Sequence, residues 1–370
     1  MRTTITGVTV FDGHDVLSGQ FDVSFDKSGI TGLNPAGTTT PTGEITDGTG
    51  ATLLPGLIDS HVHFRDPAEL STLAQYGVTT ALDMGSWPAR FTAALRTAEH
   101  GADIRSAGTP LIGPAGPHSR IPSFPAEDQI TTPEQARRRV AARVEEGVDY
   151  VKLVLERPGG GGPDLETAEA AVEAAHAAGL HVVAHASHTG AIALAVQAGV
   201  DILTHAPLDA DLDEVQVRAI AEQGRVLVPT LTMMRGTARH HGDPEKAYAH
   251  ARNMVTAVHR AGGTIVAGTD ANTQPGVPAA VPHGSSLHAE LGHLVEAGLT
   301  PREALRSATS GAATAFRLAD RGSVRPGLRA DLFLIAGDPL SAIDATRSIR
   351  AVWTAGRAVE VVAQDTPALP

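Results

Sequence analysis

The segment GLIDSHVHFRDP, residues 56–67, is an apolar, strand-like run that contains two histidines separated by one residue. Because side chains alternate between the two faces of a strand, His61 and His63 point the same way, about 7 Å apart along the chain. Two neutral imidazoles that converge from one strand suit a borderline metal ion such as zinc. A chain with 17 histidines also produces such a pair by chance, so the motif needs support from the rest of the sequence.

Further ligand-type side chains lie within or at the ends of four later apolar runs. These runs are YVKLVLE, LHVVAHAS, DILTHAP and TIVAGTDA, and they contain Lys152, His185, His205 and Asp270. If the runs are parallel strands of one barrel, their carboxyl ends meet at one rim and bring all six side chains together. Each residue alone has an ordinary interpretation, a hydrogen-bonded histidine or a turn-capping aspartate, but six side chains from five strands favour a shared site.

Lys152 is the residue that is hardest to explain structurally. It lies among Tyr150, Val151, Leu153 and Val154, in a run expected to be a buried strand. An unpaired ammonium group there would cost several kcal/mol, so the lysine must be ion-paired, deprotonated as in a Schiff base, or chemically modified. A Schiff-base aldolase would account for Lys152 but would leave four histidines without a role.

The elements that must position these residues alternate along the middle of the chain. Short β-rich runs are followed by polar loops and then by segments with apolar residues at helical spacing. Asp164, before LETAEAAVEAAHAAG, is typical of a helix start, and Gly179 is typical of a helix end. The predicted strands are 57–63, 78–83, about 107–112, 150–155, 180–185, 201–205, 226–231 and 264–269, and the predicted helices include 88–100, 133–147, 165–178, 189–199, 211–224, 244–262 and 285–298.

Strands that alternate with helices in this way predict an α/β fold, a (β/α)8 TIM barrel over residues 56–319. A doubly wound sheet is the alternative, but no GxGxxG motif follows the first strand. The flanking segments, residues 1–55 and 320–370, alternate apolar and polar residues and break at glycines, which predicts short strands. Neither segment can bury a core alone, so we expect them to pair in one small, discontinuous β-sandwich domain.

Composition narrows the classes of function. The chain has 370 residues, 42% of them hydrophobic, which is enough for one large domain and a smaller one. The net charge of -12 argues against nucleic acid or an anionic membrane as a partner. The chain has no cysteine, so any zinc ion must be held by His, Asp, Glu or a modified side chain. The N-terminal segment lacks a signal-peptide pattern and no run is long enough to span a membrane, so a cytoplasmic location is expected.

Seven segments of the chain resemble a known family. LLPGLIDSHVHF, YVKLV, VVAHA, ILTHA, VPTL, AGTDA and GLRADLFLIAGDPL are similar to the amidohydrolase superfamily of metal-dependent hydrolases. Within it they most resemble the imidazolonepropionase-like and prolidase-like branch. The resemblance covers essentially the whole chain, and the ordered set of strand-end residues is specific for the superfamily but much less specific for a substrate.

The resemblance implies a binuclear metal centre and a mechanism. A hydroxide that bridges the metals would attack an amide-type C–N bond, with Asp270 as the general base. The small-molecule substrate would be an N-acyl amino acid, an Xaa-Pro dipeptide or a small cyclic amide. The implied cofactors are two divalent metal ions, with Zn2+ as the first choice. His61, His63 and Asp270 would bind one ion, and His185 and His205 would bind the other. Lys152, carbamylated by CO2, would lie between the two ions.

Substrate contacts and alternative functions stay open at this point. His118, Arg157, His188 and Arg235 lie in loops or turns after predicted strands and are candidates for substrate binding. The glycine-rich loop 159–162 lacks the Lys-Ser/Thr of a phosphate loop, so a mobile lid or a plain linker is expected. A lactone or phosphotriester hydrolase at the same site is an alternative, as is an inactive scaffold protein, although a scaffold would be expected to have lost ligands. The sequence does not decide whether the chain forms a homo-oligomer.

Overall fold

The computed structural model describes residues 2–98, 100–122 and 124–361 of the chain. The strands are β1 (Thr3–Val10), β2 (Phe21–Asp26), β3 (Gly29–Pro35), β4 (Glu44–Asp47), β5 (Ala51–Pro55), β6 (Leu57–Val62), β7 (Val78–Asp83), β8 (Asp103–Ser106), β9 (Val151–Val154), β10 (Val182–His185), β11 (Ile202–Thr204), β12 (Val226–Val228), β13 (Thr264–Ile265), β14 (Leu332–Ala336), β15 (Ile349–Thr354) and β16 (Arg357–Val359).

The α-helices are α1 (Ala68–Gln75), α2 (Ala89–Arg96), α3 (Pro133–Glu145), α4 (Leu165–Ala177), α5 (Thr189–Gln197), α6 (Glu214–Glu222), α7 (Leu231–Ala238), α8 (Pro244–Arg260), α9 (Ser285–Glu296), α10 (Pro301–Ser307) and α11 (Ser310–Ala315). Short 3₁₀ turns occupy Pro117–Arg120, Ala126–Asp128 and Ile343–Arg347. The fold is therefore of the α/β class, as the alternation of elements predicts.

Strands from the two ends of the chain pair in one sheet, with the order β16-β15-β14-β5-β1-β2-β3 and β4 beside β1. β5 and β14 are antiparallel, with Leu53 opposite Leu334. The rings of Phe25 in β2 and Trp353 in β15 lie 5.2 Å apart, although these strands are not neighbours, so the sheet curls around a shared core. The expected β-sandwich is thus one continuous, curled sheet. Its predicted boundaries stay a prediction, and residues 362–370 lie outside the described residues.

The middle of the chain forms two parallel sheets, with the orders β6-β7-β8 and β13-β12-β11-β10-β9. At one seam between them, the amide of Leu111 donates to the carbonyl of Lys152 at 2.8 Å. At the other seam, the amide of Asp270 donates to the carbonyl of His61 at 2.8 Å. Both seams carry parallel bridges, so the carboxyl ends of the strands of both sheets lie at one rim.

Three predicted strands, the third, the seventh and the eighth, differ from the structure; the seventh, predicted at 226–231, ends at Val228. The third strand is predicted at about 107–112, whereas β8 ends at Ser106. The chain turns at Gly108, whose φ is 61°, and Pro110 has no amide hydrogen for a ladder, so a strand cannot continue there. The eighth strand is predicted at 264–269, but β13 ends at Ile265.

Four helices were missing from the predicted set, namely α1, α7, α10 and α11. Each has eight residues or fewer, which is too short for a clear hydrophobic period. A local signal was present at α10, where Thr300 and Glu303 form a capping box with bonds of 3.2 and 2.8 Å. α7 begins inside the run VLVPTL, which was interpreted as the seventh strand.

α4 shows how the predicted helices are fixed. The Asp164 carboxylate accepts the amide of Thr167 at 2.9 Å, and Gly179 follows the helix with a φ of 76°, so both predicted helix boundaries are confirmed. The helix buries Ala171 and Val172 in the main core. No helix in the described ranges combines the length and the apolar character that crossing a lipid bilayer requires.

Candidate metal centre

Three predicted ligands, His61, His63 and Asp270, form a compact cluster at the carboxyl end of β6, which we call the first ligand group. The Nε2 atoms of His61 and His63 lie 3.3 Å apart, and they lie 3.4 and 3.3 Å from Asp270 Oδ1. His61 is 1% exposed and Asp270 is 9% exposed. Two imidazoles and one carboxylate at this spacing can hold one divalent metal ion.

A buried carboxylate holds the two halves of the first ligand group together. Asp59 of β6 accepts the amides of His61 at 3.2 Å and Thr269 at 3.0 Å, and its other oxygen accepts the Thr269 hydroxyl at 2.7 Å. It therefore ties the strand that carries both histidines to the segment that carries Asp270. Burial raises the pKa of Asp59 to about 7. Asp59 is not among the predicted site residues, although an aspartate within the apolar run LIDSHVH is a signal of such a role.

The other three predicted ligands, Lys152, His185 and His205, form a second ligand group beside the first. The rings of His185 and His205 have centroids 4.4 Å apart. The ring of His205 also lies 4.9 Å from that of His61, and its Nδ1 lies 3.9 Å from Asp270 Oδ2. The structure thus brings all six predicted ligands to one rim.

Hydroxyl groups position the second ligand group. Lys152 Nζ donates to Thr204 Oγ1 at 2.9 Å, and that hydroxyl donates to the carbonyl of Ala184 at 2.9 Å. His205 Nδ1 hydrogen-bonds with Thr230 Oγ1 at 2.9 Å. His185 Nε2 lies 3.3 Å from the Ser187 hydroxyl. These three hydroxyl residues are not predictable from the sequence, because a Ser or Thr near a strand end carries no distinctive pattern.

The backbone is strained at the centre. His205, Thr230 and Asp270 have φ angles of 77°, 48° and 56°, in the left-handed region that residues with a Cβ rarely adopt. Each such residue costs on the order of 1–3 kcal/mol and persists only where the surroundings hold it. His205 and Asp270 are candidate ligands, and the hydroxyl of Thr230 hydrogen-bonds with His205. Backbone strain that is concentrated at such residues is expected of a functional site.

The protonation states suit a cation. Burial lowers the pKa of His205 to about 3 and lowers the pKa values of His61 and His185 well below their ordinary value, so these imidazoles are neutral. Burial alone would raise the pKa of Asp270, but the hydrogen bond with His63, together with the positive electrostatic surroundings of the site, outweighs burial and lowers it. Neutral imidazoles and an ionised carboxylate are the forms that bind metal ions.

The two ligand groups differ in how well they fit a metal ion. The first group supplies two imidazoles and a carboxylate, a donor set that fits a divalent cation unaltered. The second group supplies two imidazoles and Lys152, which is 3% exposed. Among the described residues, no carboxylate lies within 4.0 Å of Lys152 Nζ. Burial lowers the pKa of Lys152 to about 7, so the amine loses its proton far more readily than an exposed lysine.

The structure separates the four candidate substrate contacts into two pairs. The ring of His118 lies 4.6 Å from that of His185. His188 Nδ1 lies 3.3 Å from the Ser187 hydroxyl that also contacts His185. Arg157, by contrast, is exposed, and Arg235 lies over the ring of Tyr248 on α8, at 5.5 Å. In the described part of the chain, neither arginine contacts the ligand groups, so only the two histidines are brought to the centre.

Two cavities of the protein lie away from the candidate ligands. A cavity of about 650 Å³ is lined by residues that include Asp12, Leu33, Ser310 and Leu328, beside the curled terminal sheet. A second, of about 530 Å³, is lined in part by residues of β16. Neither cavity contains a candidate ligand. The donor set, and not cavity size, therefore locates the candidate site, since a metal centre is defined by convergent donors.

Comparison with known proteins agrees with this geometry. The sequence model of the amidohydrolase family matches residues 52–359. An uncharacterized protein of Mycobacterium tuberculosis (strain H37Rv) is 30% identical over 321 residues, which are 78% of this chain and 80% of that protein. The imidazolonepropionase of Salinispora arenicola is 28% identical over 333 residues, 78% of this chain and 79% of that enzyme.

A solved structure shows the same fold. The crystal structure of a Xaa-Pro dipeptidase with bound methionine in the active site superimposes with a TM-score of 0.83 over 97% of this chain and 100% of that chain, at 21% identity. These matches agree with the imidazolonepropionase-like and prolidase-like branch that the sequence motifs indicated. The chain therefore belongs to the amidohydrolase family, and it is a hydrolase that acts on C–N bonds.

Proposed function

We propose that this protein is a binuclear metal-dependent hydrolase that cleaves an amide-type C–N bond in a small molecule. His61, His63 and Asp270 would hold one divalent ion. His185 and His205 would hold the other, with Lys152, carbamylated by CO2, between the two. The observation that carries the proposal is the buried Lys152 beside two neutral imidazoles, without a carboxylate of its own. Zn2+ suits a donor set that is rich in imidazole nitrogen.

The proposal includes a closed (β/α)8 barrel, in which the two parallel sheets form one ring of eight strands. The backbone hydrogen bonds at Leu111 and at Asp270 join the sheets at both seams, which supports closure. A closed ring brings β6, β9, β10 and β11 to one rim, and the six candidate ligands lie at or just beyond the carboxyl ends of its strands.

Carbamylation would resolve the electrostatic problem of the second ligand group. A lysine amine must be neutral to react with CO2, and burial favours the neutral form of Lys152. The product is an anion with two oxygen donors in place of a buried cation. That anion would give the second ligand group the negative charge that the first already has in Asp270.

The protein side chains would perform the proton transfers and bind the substrate. Bound divalent ions supply an activated water molecule and polarise the scissile carbonyl. Asp270, ionised and in contact with both ligand groups, would take the proton of the attacking water and give it to the leaving nitrogen. His118 and His188, which flank His185, would contact the substrate beside the scissile bond.

The proposed substrates are N-acyl amino acids, Xaa-Pro dipeptides and small cyclic amides. The relatives support this choice, since they include imidazolonepropionases and, among solved structures, a Xaa-Pro dipeptidase. The site favours a small substrate, because strand ends and loops that carry His118 and His188 surround the two ligand groups.

A metal-removal experiment tests the proposal. The purified protein is analysed for metal content, stripped with a chelator, reloaded with Zn2+ and assayed on a panel of these amides together with lactones and phosphotriesters. We expect about two ions per chain, loss of amide hydrolysis on stripping and recovery on reloading. Arg235→Ala is the control variant, because its side chain contacts Tyr248 and not the centre. Full activity in the metal-free protein would contradict the proposal, and a strict preference for lactones or phosphotriesters would change the bond assigned.

A further inference from the structure

Glu156 is a buried carboxylate that the proposed mechanism does not yet use. It follows β9 and is 7% exposed. Its Oε1 atom has no hydrogen-bond partner among the described residues, and the same is true of His118 Nδ1. These two buried atoms lie 3.5 Å from each other. Since buried polar atoms are nearly always paired, each is the natural partner of the other, at a distance that a small side-chain movement shortens to a hydrogen bond.

No other charged group competes for this carboxylate. In the described part of the chain, no Lys or Arg nitrogen lies within 4.0 Å of Glu156. Its immediate surroundings are instead glycines. A Cβ atom on Gly116 would lie 3.0 Å from Glu156 Oε1, and Cβ atoms on Gly160 and Gly162 would each lie 3.1 Å from Glu156 Cβ. Only residues without side chains leave space for the glutamate at this position.

The glycine-rich loop 159–162 also holds the loop that carries His118. The amide of Ala115 donates to the carbonyl of Gly161 at 3.2 Å. A Cβ atom on Gly161 would lie 2.3 Å from the carbonyl carbon of Ala115. A side chain there would therefore push the 113–120 segment away. The loop therefore packs against this segment, and Gly160, Gly161 and Gly162 are the glycines that make close contacts.

His118 is oriented by these contacts. Its Nδ1 atom is buried against Glu156, whereas the side chain as a whole is 30% exposed, so the opposite, Nε2 edge is the accessible one. Its ring meets that of His185 at 73°, with centroids 4.6 Å apart. The ring of His118 thus lies beside the second ligand group.

We propose that Glu156 is a positioning residue that holds His118 through Nδ1, so that Nε2 is presented to the substrate beside the metal centre. The carboxylate accepts the Nδ1 hydrogen and selects that tautomer of the ring. Nε2 is then the atom that hydrogen-bonds with a polar group next to the scissile bond. This inference rests on the proposed function, because it takes His118 as a substrate contact.

The test combines four variants, Glu156→Gln, Glu156→Ala, His118→Ala and the double variant Glu156→Ala/His118→Ala. We expect Glu156→Ala to lower kcat/KM on the order of 10–100-fold, the loss typical of a hydrogen bond to a charged group, mainly through KM. Glu156→Gln should retain part of the activity, because its amide oxygen still accepts from Nδ1. In the His118→Ala background, Glu156→Ala should have no further effect. Glu173→Gln on the exposed face of α4 is the control for loss of charge.

Two readouts separate this inference from the proposed function. Metal content should stay at the wild-type value in all four variants, and loss of metal in a Glu156 variant would overturn the inference, because it would place Glu156 in the metal centre. A wild-type protein without hydrolase activity would count against the proposed function and not against the contact between Glu156 and His118. In the metal-free protein, ¹⁵N NMR of the imidazoles should show His118 protonated at Nδ1, and Glu156→Ala should shift the tautomer. Additive losses in the double variant, or an unchanged tautomer, would overturn the inference.

Discussion

The two ligand groups reach the same rim by different means. The first contains its own carboxylate, and a second carboxylate, Asp59, ties its two segments together. The second consists of nitrogen donors, and hydroxyl groups such as Thr204 and Thr230 position them. A metal position can therefore be complete in the encoded side chains or can depend on a later modification. In this chain the difference depends on Lys152, since carbamylation would change the charge of its side chain from positive to negative.

The largest expected effect is that of Asp270→Asn. The amide retains an oxygen that can contact a metal ion, but it cannot accept the proton of the attacking water. We expect turnover to fall on the order of 10²–10⁴-fold, the range of general acid–base catalysis. Turnover is measured at metal occupancy verified by elemental analysis, with the exposed Asp15→Asn as the control. Near-normal turnover at full occupancy would remove Asp270 from the role of base.

Lys152→Ala should break the second ligand group and leave the first intact. We expect about one retained metal ion per chain and loss of most activity, since His185 and His205 would lack an anionic partner. A short carboxylate such as formate or acetate should restore part of the activity by replacing the carbamate. Metal content and turnover are measured with and without the added acid.

The wild-type protein supplies the complementary measurement for Lys152. Native mass spectrometry should show the added mass of one CO2, and protein prepared without CO2 or bicarbonate should bind less metal. An unmodified Lys152 in a fully active protein with two metal ions would contradict carbamylation and would favour a mononuclear centre.

A smaller effect should distinguish the two groups through their supporting hydroxyls. Thr230→Val removes the hydrogen bond to His205 Nδ1 and should weaken the second metal position about 10-fold, the usual effect of losing a ligand's hydrogen-bond partner. Thr269→Val removes the hydroxyl that donates to Asp59 and should weaken the first position instead. Stepwise Zn2+ titration of the metal-free proteins against a competing chelator measures both. Equal losses at both positions in either variant would mean that the groups do not bind independently.

The candidate ligands could be predicted because strand geometry determines where their side chains go. His61 and His63 share a face of one strand, and the carboxyl ends of parallel strands converge, so residue type and spacing were sufficient. The third strand could not be placed because a glycine with positive φ and a proline, Gly108 and Pro110, end the ladder before the apolar run. That run looked more strand-like than the polar DIRS segment that forms β8.

The supporting residues could not be predicted in the same way. Thr204 and Thr230 have ordinary residue types for strand ends, and their roles depend on which neighbour they meet in space. Glu156 gave a weak signal, an acidic residue directly after an apolar strand, but the adjacent Arg157 was the more usual candidate for substrate binding. In the structure Arg157 is exposed, whereas Glu156 is buried against His118.

Glu290, a buried residue of α9, supports the second ligand group indirectly. We expect its substitution to have the smallest effect on turnover but a measurable effect on stability. Its carboxylate accepts the amides of Leu231 and Thr232 at 2.9 and 2.7 Å, directly after Thr230. It thus fixes the start of α7 and, through Thr230, the orientation of His205. Burial raises the pKa of Glu290 from 4.5 to about 7.

A glutamate with a raised pKa binds its proton more tightly in the folded state, so its contribution to the free energy of unfolding is fully present below pH 4.5 and is lost as the pH rises through about 7. At about 1.4 kcal/mol per pKa unit, the rise from 4.5 to about 7 corresponds to a full change of about 3.5 kcal/mol. Glu290→Gln cannot titrate, so the stability of the wild type relative to this variant should decrease as the pH rises from 5 to 8. Thermal unfolding midpoints of both metal-free proteins across this range measure the difference, in which the titrating groups that do not interact with Glu290 cancel. A difference that stays constant with pH would mean that the amides of Leu231 and Thr232 and the Thr232 hydroxyl, which all donate to Glu290, keep it ionised throughout, and that α7 is held by a permanent charge.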